Sequence, residues 1–488
     1  MPQVQAAPLL TLRGVPVLLG VAVLLTWPMV LGAAAYVFAD TPSYLNGGAR
    51  IWDVLTSFAE AIARIGGDGP VAASDDALAD LSVNARGQST TGRSFLYSFF
   101  AFATVSFGGA FALAVAQGFL VLLVAAALIG PEALARPKRL AAGTAFVVLA
   151  SSLPWYADYV MPDVLAAVPI LFGALLVSRF ALLSRSQQVT VTAVTAFAAA
   201  SHYGHGPLMF GIAALAVGVQ LVRRSLTLSV ILAALAVVAF APLANVTAST
   251  AVLKEASLAP KRLPILLARS LEDGPARWYL EEACPEADLA FCEVFDDQVP
   301  SNVGMFLWTP EGIDDITPAQ LDAIRAEEFT ILRRAFLRYP VQQTVSLLGN
   351  SALQIVRVGL DEHRAAGPIG DDMQYRDPAG STGAALIGAF DDILPWTTLL
   401  GALPLLALAL AGRLDGVQLR ILALTLAGLV LNALIFGGLS APVDRYQARV
   451  IWVLPFLSAL FLAAAEFRPA AAARGSAPRR SLRSSRPD

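Results

Sequence analysis

The sequence predicts an all-α, polytopic membrane protein with about ten transmembrane helices. Hydrophobic residues make up 56% and charged residues only 15% of the 488 residues, whereas an ordinary soluble domain carries about 25% charged residues. The mean hydropathy is +0.64, and apolar runs that could cross about 30 Å of hydrocarbon recur along the chain. The formal net charge of -3 creates no strong positive field, which excludes nucleic acid as a partner.

The first apolar run, residues 15–38, is predicted to be a retained transmembrane helix, because a signal-peptide core has only about 7 to 15 apolar residues. Residues 32–35 also resemble a cleavage site, so removal of this segment stays an alternative. Residues 39–109 then form the first outer loop. Two juxtamembrane helices are predicted within it, an amphipathic one over 44–65 and an aromatic-rich one over 93–107 that ends at Gly108 and Gly109.

The other apolar runs divide the chain into four parts. Residues 1–247 form an N-terminal membrane module, 248–392 a helical outer insertion, 393–467 the C-terminal transmembrane helices, and 468–488 a disordered basic cytoplasmic tail. Within the insertion, helices are predicted over 317–339 and 341–358. The spans after the first are predicted at 110–129, 140–153, 164–183, 189–200, 208–222, 226–246, 393–411, 421–436 and 450–467.

The charge distribution predicts the orientation of these spans. With the N-terminus in the cytoplasm, the arginine-rich short loops and the tail lie inside, as the positive-inside rule requires. Both acidic loops then lie outside, and so do Cys284 and Cys292. These two cysteines alone cannot form a structural zinc site, so a disulfide in an oxidising compartment is expected. The predicted location is the inner (plasma) membrane, with both termini cytoplasmic.

Polar residues cluster where the predicted spans reach the outer face. An ionisable group at such a depth is costly, so it is a candidate for function. The usual belt of interfacial aromatic residues accounts for Trp155 and Trp396 but not for carboxylates and histidines. His363, in the acidic loop, is interpreted as a solvated residue. The candidate site residues are Asp40, Arg93, Tyr97, Asp158, Asp163, His202, His205, Arg445 and Tyr446.

The arrangement of several of these residues along the chain resembles that in the GT-C superfamily of polytopic glycosyltransferases. An aspartate, Asp40, ends the first span ahead of an outer loop with juxtamembrane helices, and a second acidic cluster follows in Trp155-Tyr156-Ala157-Asp158 and Met161-Pro162-Asp163. The last span opens with Asp444-Arg445-Tyr446, followed by Trp452-Val453-Leu454-Pro455. The layout is similar to that of protein mannosyltransferases and lipid A aminoarabinose transferases. Thr41 follows Asp40, so this chain lacks an adjacent Asp-Glu pair.

The resemblance implies transfer of a sugar from a polyprenyl-phosphate donor to a hydroxyl of a glycan, lipid or protein acceptor, on the extracytoplasmic side. In that reaction Asp40 is the expected general base, and a cap that ends the first helix is the alternative role. Arg93 and Arg445 are expected to bind the lipid phosphate, because one guanidinium group can donate two parallel hydrogen bonds to phosphate oxygens. Snorkelling to lipid headgroups is the alternative for both arginines.

The remaining candidates are expected to bind substrate. Asp158 and Asp163 could orient the sugar or provide the oxygen ligands that a divalent cation such as Mg²⁺ or Mn²⁺ prefers, and His202 and His205 would share a face if they lay on one helix. Two other functions stay open. A transporter or flippase of a lipid-linked saccharide would place polar groups near the midplane, and an O-antigen-ligase-like protein would also carry a large outer loop.

Overall fold

The computed structural model describes residues 7–64, 93–253, 256–259, 262–284, 286–296, 298–367 and 381–465. The predicted tail at 468–488 and the acidic part of the first loop at 65–92 lie outside these ranges. The described chain is mainly helical, and the one sheet in it has two strands, Ala35–Val37 and Arg364–Ala366. The predicted all-α class is therefore confirmed for this part of the chain.

The helices of the first half surround a buried centre. They are Val15–Leu24, Trp27–Gly32, Thr41–Arg64, Phe95–Leu128, Pro131–Leu134, Pro137–Ala150, Leu153–Ala157, Ala167–Leu176, Arg185–Ala200, His205–Val222 and Leu228–Leu253, with 3-10 turns at Pro8–Leu10, Pro162–Ala166 and Phe180–Leu182. Every residue from Ser151 to Leu176 is buried. This stretch therefore forms the core against which the outer helices pack.

The second half contains the insertion and the last membrane helices. The insertion has helices Ile265–Asp273, Pro275–Ala283, Ala290–Phe295, Val303–Trp308, Pro318–Arg338 and Pro340–Val356. Thr382–Leu410, Gly416–Asn432 with the π-helical turn Ala433–Gly438, Asp444–Ile451 and Val453–Ala464 follow. Much of the insertion has a hydrophobic core of its own, around Leu267, Leu280, Phe291, Phe306 and Ile331. Cys284 and Cys292 form a disulfide within it, as predicted.

Seven helical segments of the described chain are long and apolar enough to cross a membrane. They are Val15–Gly32, Phe95–Leu128, His205–Val222, Leu228–Ala251, Thr382–Leu410, Gly416–Gly438 and Asp444–Ala464. Pro162–Leu176 is a shorter apolar segment, and Pro137–Ala150 and Arg185–Ala200 occupy the other two predicted spans. The chain is thus a membrane-embedded, multi-pass protein.

Several predicted boundaries are wrong. The first span does not continue to residue 38, because Ala33 adopts a left-handed conformation with φ +48° and the chain then becomes a β-strand. The predicted start of the C-terminal part at 393 falls inside the helix Thr382–Leu410, which begins before its charged residues Asp391 and Asp392. The last span begins earlier than predicted, at Asp444, because its first turns are polar but buried.

The two juxtamembrane helices are confirmed as helices. The first runs from Thr41 to Arg64. The second belongs to Phe95–Leu128, in which Gly108 and Gly109 break the helical conformation at a kink. Gly109 has φ +69°, a value that glycine adopts without steric cost. The helix axis therefore changes direction after residue 107, and the chain continues beyond the kink as a span.

The polypeptide connections meet at two separate ends of the helices. At one end, hereafter the site end, the Ser94 hydroxyl donates to the Ala200 carbonyl at 2.6 Å, and the Tyr156 hydroxyl donates to the Gly359 carbonyl at 3.3 Å. At the opposite end, Arg136 donates to the Ala464 carbonyl at 3.0 Å, and Arg420 donates to the Val177 carbonyl at 3.3 Å. The membrane segments that end at these contacts therefore alternate in direction.

Candidate functional site

Backbone pairing assembles the site end from segments that are far apart in sequence. Ala35–Val37 pairs antiparallel with Arg364–Ala366, with Tyr36 opposite Ala365. The Val160 amide donates to the Tyr36 carbonyl at 2.8 Å, and the Thr41 hydroxyl donates to the Val160 carbonyl at 3.1 Å. The end of the first span, the loop around Asp163 and the loop around Glu362 therefore meet beside one short sheet.

Asp40 lies at this junction and forms an ion pair with Arg93. Its carbonyl accepts the amide hydrogen of Tyr44 at 3.2 Å, so Asp40 stands at the start of the helix Thr41–Arg64. Its side chain is 23% exposed, and that of Arg93 is 24% exposed. The guanidinium of Arg93 also lies 5.9 Å from the centre of the Tyr44 ring. The predicted general base is thus half-buried beside one of the predicted phosphate-binding arginines.

A second set of charges, hereafter the buried ion cluster, consists of Asp163, Glu362, Arg445 and Arg449. Arg449 Nη1 donates to Asp163 Oδ1 at 2.9 Å. Arg445 Nε lies 3.7 Å from the same oxygen and 3.1 Å from Glu362 Oε2. The Arg449 and Asp163 side chains are only 1% and 2% exposed. Burial raises the pKa of Glu362, and the positive charge of Arg445 opposes that rise.

Aromatic rings hold the two arginines of the cluster in place. Arg445 lies over Phe38 at 4.1 Å and over Tyr446 at 5.0 Å, measured from the guanidinium carbon to the ring centre. Arg449 lies over Phe436 at 4.0 Å and over Tyr446 at 4.8 Å. Nε and Nη2 of Arg449 are buried without a hydrogen-bond partner among the described residues.

The ion pair and the buried ion cluster belong to the same site. Burial raises the pKa of the Tyr44 hydroxyl. The negative charges of Asp40 and Asp163 raise that pKa further, whereas the positive charges of Arg93 and Arg445 lower it. Tyr44 also contacts Tyr97 edge to face, with ring centres 5.1 Å apart. Arg445 of the cluster lies over Phe38, two residues before Asp40, so the ion pair and the cluster are neighbours. Tyr44, which lies next to Arg93, is a site residue that the sequence did not indicate.

His202 and His205 border the cluster with rings 5.1 Å apart. His205 is fully buried, its Nδ1 lies 3.0 Å from the Ala198 carbonyl, and its Nε2 has no hydrogen-bond partner among the described residues. His202 Nδ1 accepts the Gly204 amide hydrogen at 3.0 Å. Burial lowers the pKa of His202 well below its usual range, and the nearby charges of His205 and Arg449 add to this effect. His202 is therefore neutral at pH 7.

Asp158 and Tyr97 make their hydrogen bonds away from the cluster. Asp158 Oδ2 accepts the Met29 amide hydrogen at 2.8 Å, and burial raises the Asp158 pKa well above its usual range. The Tyr97 hydroxyl donates to Gln117, whose amide in turn donates to the Ala157 carbonyl at 2.8 Å. Both side chains fasten the buried stretch 151–176 to its neighbours, so their substrate-binding roles stay predictions without a supporting contact.

Two interpretations of aromatic and histidine residues are wrong. Trp155 is 0% exposed rather than part of an interfacial belt, and it packs against Trp27, Tyr36 and Phe390. His363 is buried rather than solvated, and its ring stacks on Tyr159 with centres 4.1 Å apart. Trp396, at 71% exposed, agrees with the belt.

Within the described ranges, no group of three or more His, Cys, Asp or Glu side chains could hold a metal ion. Asp163 directs its carboxylate at two arginines, and Asp158 directs its own at a backbone amide. A divalent cation at this pair therefore stays a prediction that no contact supports.

Sequence reasoning missed Glu362 and Arg449 as well as Tyr44. Arg449 follows Arg445 by one helical turn inside an apolar span, and a charge at that position is a signal for function. Glu362 gives no such signal, because its position depends on the pairing of two distant strands.

In comparisons with known proteins, no family model, curated protein or solved structure matches the chain. Fold and site define it as a multi-pass helical membrane protein with a charged, aromatic-lined centre at one end.

Proposed function

We propose that the protein is a membrane glycosyltransferase that moves a sugar from a polyprenyl-phosphate donor to a hydroxyl of a glycan, lipid or protein acceptor. The observation that carries the proposal is the position of Asp40 beside Arg93, at the same end of the helices as the buried Arg445 and Arg449. A carboxylate and several guanidinium groups near one centre are what this chemistry requires.

In the proposed reaction Asp40 accepts the proton of the acceptor hydroxyl while the hydroxyl oxygen attacks the anomeric carbon. The bond between that carbon and the donor phosphate oxygen breaks, and its electron pair leaves with the polyprenyl phosphate. Arg93 and Arg445 stabilise the charge of the leaving phosphate by bidentate hydrogen bonds. Attack opposite the leaving group inverts the anomeric carbon, so one base suffices and no carboxylate pair is needed.

His202, His205, Asp163 and Tyr446 border this centre and are proposed to bind the sugar and the phosphate. His202 is neutral, and Nε2 of His205 has no hydrogen-bond partner among the described residues. Both rings therefore suit hydrogen bonding to hydroxyl groups better than they suit charge neutralisation. No step of the reaction depends on a metal ion, although Mg²⁺ or Mn²⁺ would bring a further positive charge to the phosphate.

We infer that the protein crosses the inner (plasma) membrane ten times. Both termini would then lie in the cytoplasm, and the site end would lie outside. Three short helices complete the ten, namely Pro137–Ala150, the segment Pro162–Leu176 and Arg185–Ala200. Helices this short fit a site that is recessed below the outer surface of the membrane, because they then cross less hydrocarbon than a full-length span does.

Cysteine labelling of intact cells tests this orientation. A membrane-impermeant maleimide is expected to label Tyr203→Cys, at the site end, and to leave Lys138→Cys unlabelled until the membrane is permeabilised. The native cysteines pair with each other, so only the introduced thiol reacts. Labelling of the position 138 variant alone would reverse the proposed topology.

Purified protein in nanodiscs, supplied with a panel of radiolabelled polyprenyl-phosphate sugars and membrane extract as the acceptor source, tests the activity. The expected result is release of polyprenyl phosphate together with transfer of label to an acceptor. In vesicles, movement of a lipid-linked saccharide across the bilayer without any chemical change would instead identify a flippase and overturn the proposal.

A further inference from the structure

The helix Pro340–Val356 has its polar side turned towards the protein. Asn350 Nδ2 donates to Asp273 Oδ1 at 3.0 Å, and the Ser270 hydroxyl lies 2.7 Å from Gln343 Oε1. Gln354 donates to the Val443 carbonyl at 2.8 Å and accepts the Val443 amide hydrogen at 3.0 Å. Gln343, Asn350 and Gln354 thus bind the insertion and the loop before Asp444 rather than water, whereas Gln342 and Thr344 in the first turns of the helix are exposed.

The opposite side of the same helix is an exposed apolar stripe. Val341, Val345, Leu348 and Val356 are 75%, 59%, 60% and 72% exposed, and Ala352 between them is exposed as well. Their spacing of three and four residues places them on one helical face. In water such a face would be unfavourable, because soluble proteins rarely expose a continuous apolar patch of this kind.

We propose that Pro340–Val356 is a membrane-embedded helix whose apolar stripe contacts the acyl chains of bilayer lipids in the leaflet at the site end. This inference does not depend on the proposed transfer reaction. If the helix Pro340–Val356 lies in the bilayer, the outer insertion is not entirely surrounded by water. Part of it enters the membrane.

The neighbours of this helix support that location. It packs closely along the end of the segment Gly416–Gly438, where a β-carbon on Gly437 would overlap the Gln354 β-carbon, and one on Gly438 would lie 2.8 Å from a methyl carbon of Leu347. Val430 in that span is exposed, and so is Leu439, the residue that follows it. The stripe therefore continues the exposed apolar surface of a transmembrane segment.

Hydropathy alone cannot detect a helix of this kind. A window average combines the outward valines and leucines with the inward Gln343, Asn350 and Gln354, so the segment does not reach the level of a span. Interfacial helices usually turn their polar side to water and their apolar side to lipid. Here the polar side is satisfied by protein, which allows the apolar side to lie deeper in the bilayer.

Nitroxide labels at Val345→Cys and Leu348→Cys, in protein reconstituted into nanodiscs, test the proposal. The sequence contains only two cysteines, and these form the disulfide, so each introduced thiol is labelled alone. Collision rates are measured with oxygen, which is apolar, and with a polar nickel complex. The matched control is Asp322→Cys on the preceding helix, whose native side chain is 58% exposed.

The ratio of oxygen to nickel collision rates is expected to be at least about tenfold higher at 345 and 348 than at 322, because a polar complex is largely excluded from hydrocarbon while oxygen concentrates in it. Nickel accessibility equal to that at 322 would overturn the proposal. Low accessibility to both probes, with dipolar coupling between labels, would also overturn it by showing a second copy of the chain at this face.

Wild-type protein provides a second measurement that needs no variant. Lipids that carry a photoreactive diazirine in the acyl chain are expected to crosslink to peptides spanning residues 341–356. Peptides from the helix Pro275–Ala283, which belongs to the separate core of the insertion, serve as the internal control. Equal labelling of both regions, or none at 341–356, would contradict the lipid contact.

Discussion

The Asp40→Asn variant is expected to lose sugar transfer by a factor of about 10² to 10⁴, because the amide keeps the shape of the side chain but cannot accept a proton from the acceptor hydroxyl. The loss should appear in kcat, since the amide can still accept a hydrogen bond from the acceptor. Radiolabelled donor and single-turnover conditions in nanodiscs measure the chemical step directly. Asp40→Glu, which restores a carboxylate, should recover part of the rate.

Asp53→Asn is the matched control. Asp53 is exposed on the helix Thr41–Arg64, which begins directly after Asp40. Its activity and melting temperature should equal those of the wild type. Asp40→Asn also removes a charge partner of Arg93, so its melting temperature must be compared with that of Arg93→Gln. An active Asp40→Asn protein, or a loss of activity no larger than its loss of folded protein, would remove Asp40 as the base.

The parts of the fold that depend on local patterns could be predicted from the sequence. Hydropathy located most spans, and helical spacing located the amphipathic helix Thr41–Arg64. A glycine pair marked the kink in Phe95–Leu128, and the positions of the cysteines suggested their disulfide. Each of these signals arises from residues close together in the chain, so no tertiary structure was needed to interpret it.

The interior of the site could not be predicted, because it depends on contacts between distant segments. Residues 35–38 looked like the end of an apolar helix, but pairing with Arg364–Ala366 offers their backbone the hydrogen bonds of a strand. The same pairing carries Glu362 to Arg445 and buries His363 against Tyr159. Trp155 resembled an interfacial residue because its burial is set by Trp27 and Phe390, far away in sequence.

Candidate site residues fall into two groups for the same reason. Asp40, Arg93 and Arg445 were found because each ends or opens an apolar run, which is a local feature. Asp158 has an identical local signal, yet its carboxylate binds the Met29 amide. The sequence therefore located these side chains at the ends of apolar runs but did not predict the direction in which each one points.

The Asp163→Leu variant is expected to lower the free energy of unfolding by about 3–5 kcal/mol, because it leaves the buried Arg449 guanidinium without its acid. Reversible denaturation in mild detergent measures this loss without reference to activity. Asp322→Leu is the matched control. It breaks an ion pair with Arg325 at a similar distance, 2.7 Å, but Asp322 is 58% exposed, so a loss below about 1 kcal/mol is expected.

Adding Arg449→Met to Asp163→Leu should recover much of the lost stability, since a methionine side chain can lie on the Phe436 ring without a charge to solvate. Arg445 keeps Glu362 as its partner at 3.1 Å in the double variant, so it gains no new unpaired charge. Recovery would show that the Asp163 carboxylate is required mainly as the counter-charge of Arg449. If the two substitutions were simply additive, Asp163 would stabilise the fold through another contact, and the buried ion cluster would not act as a unit.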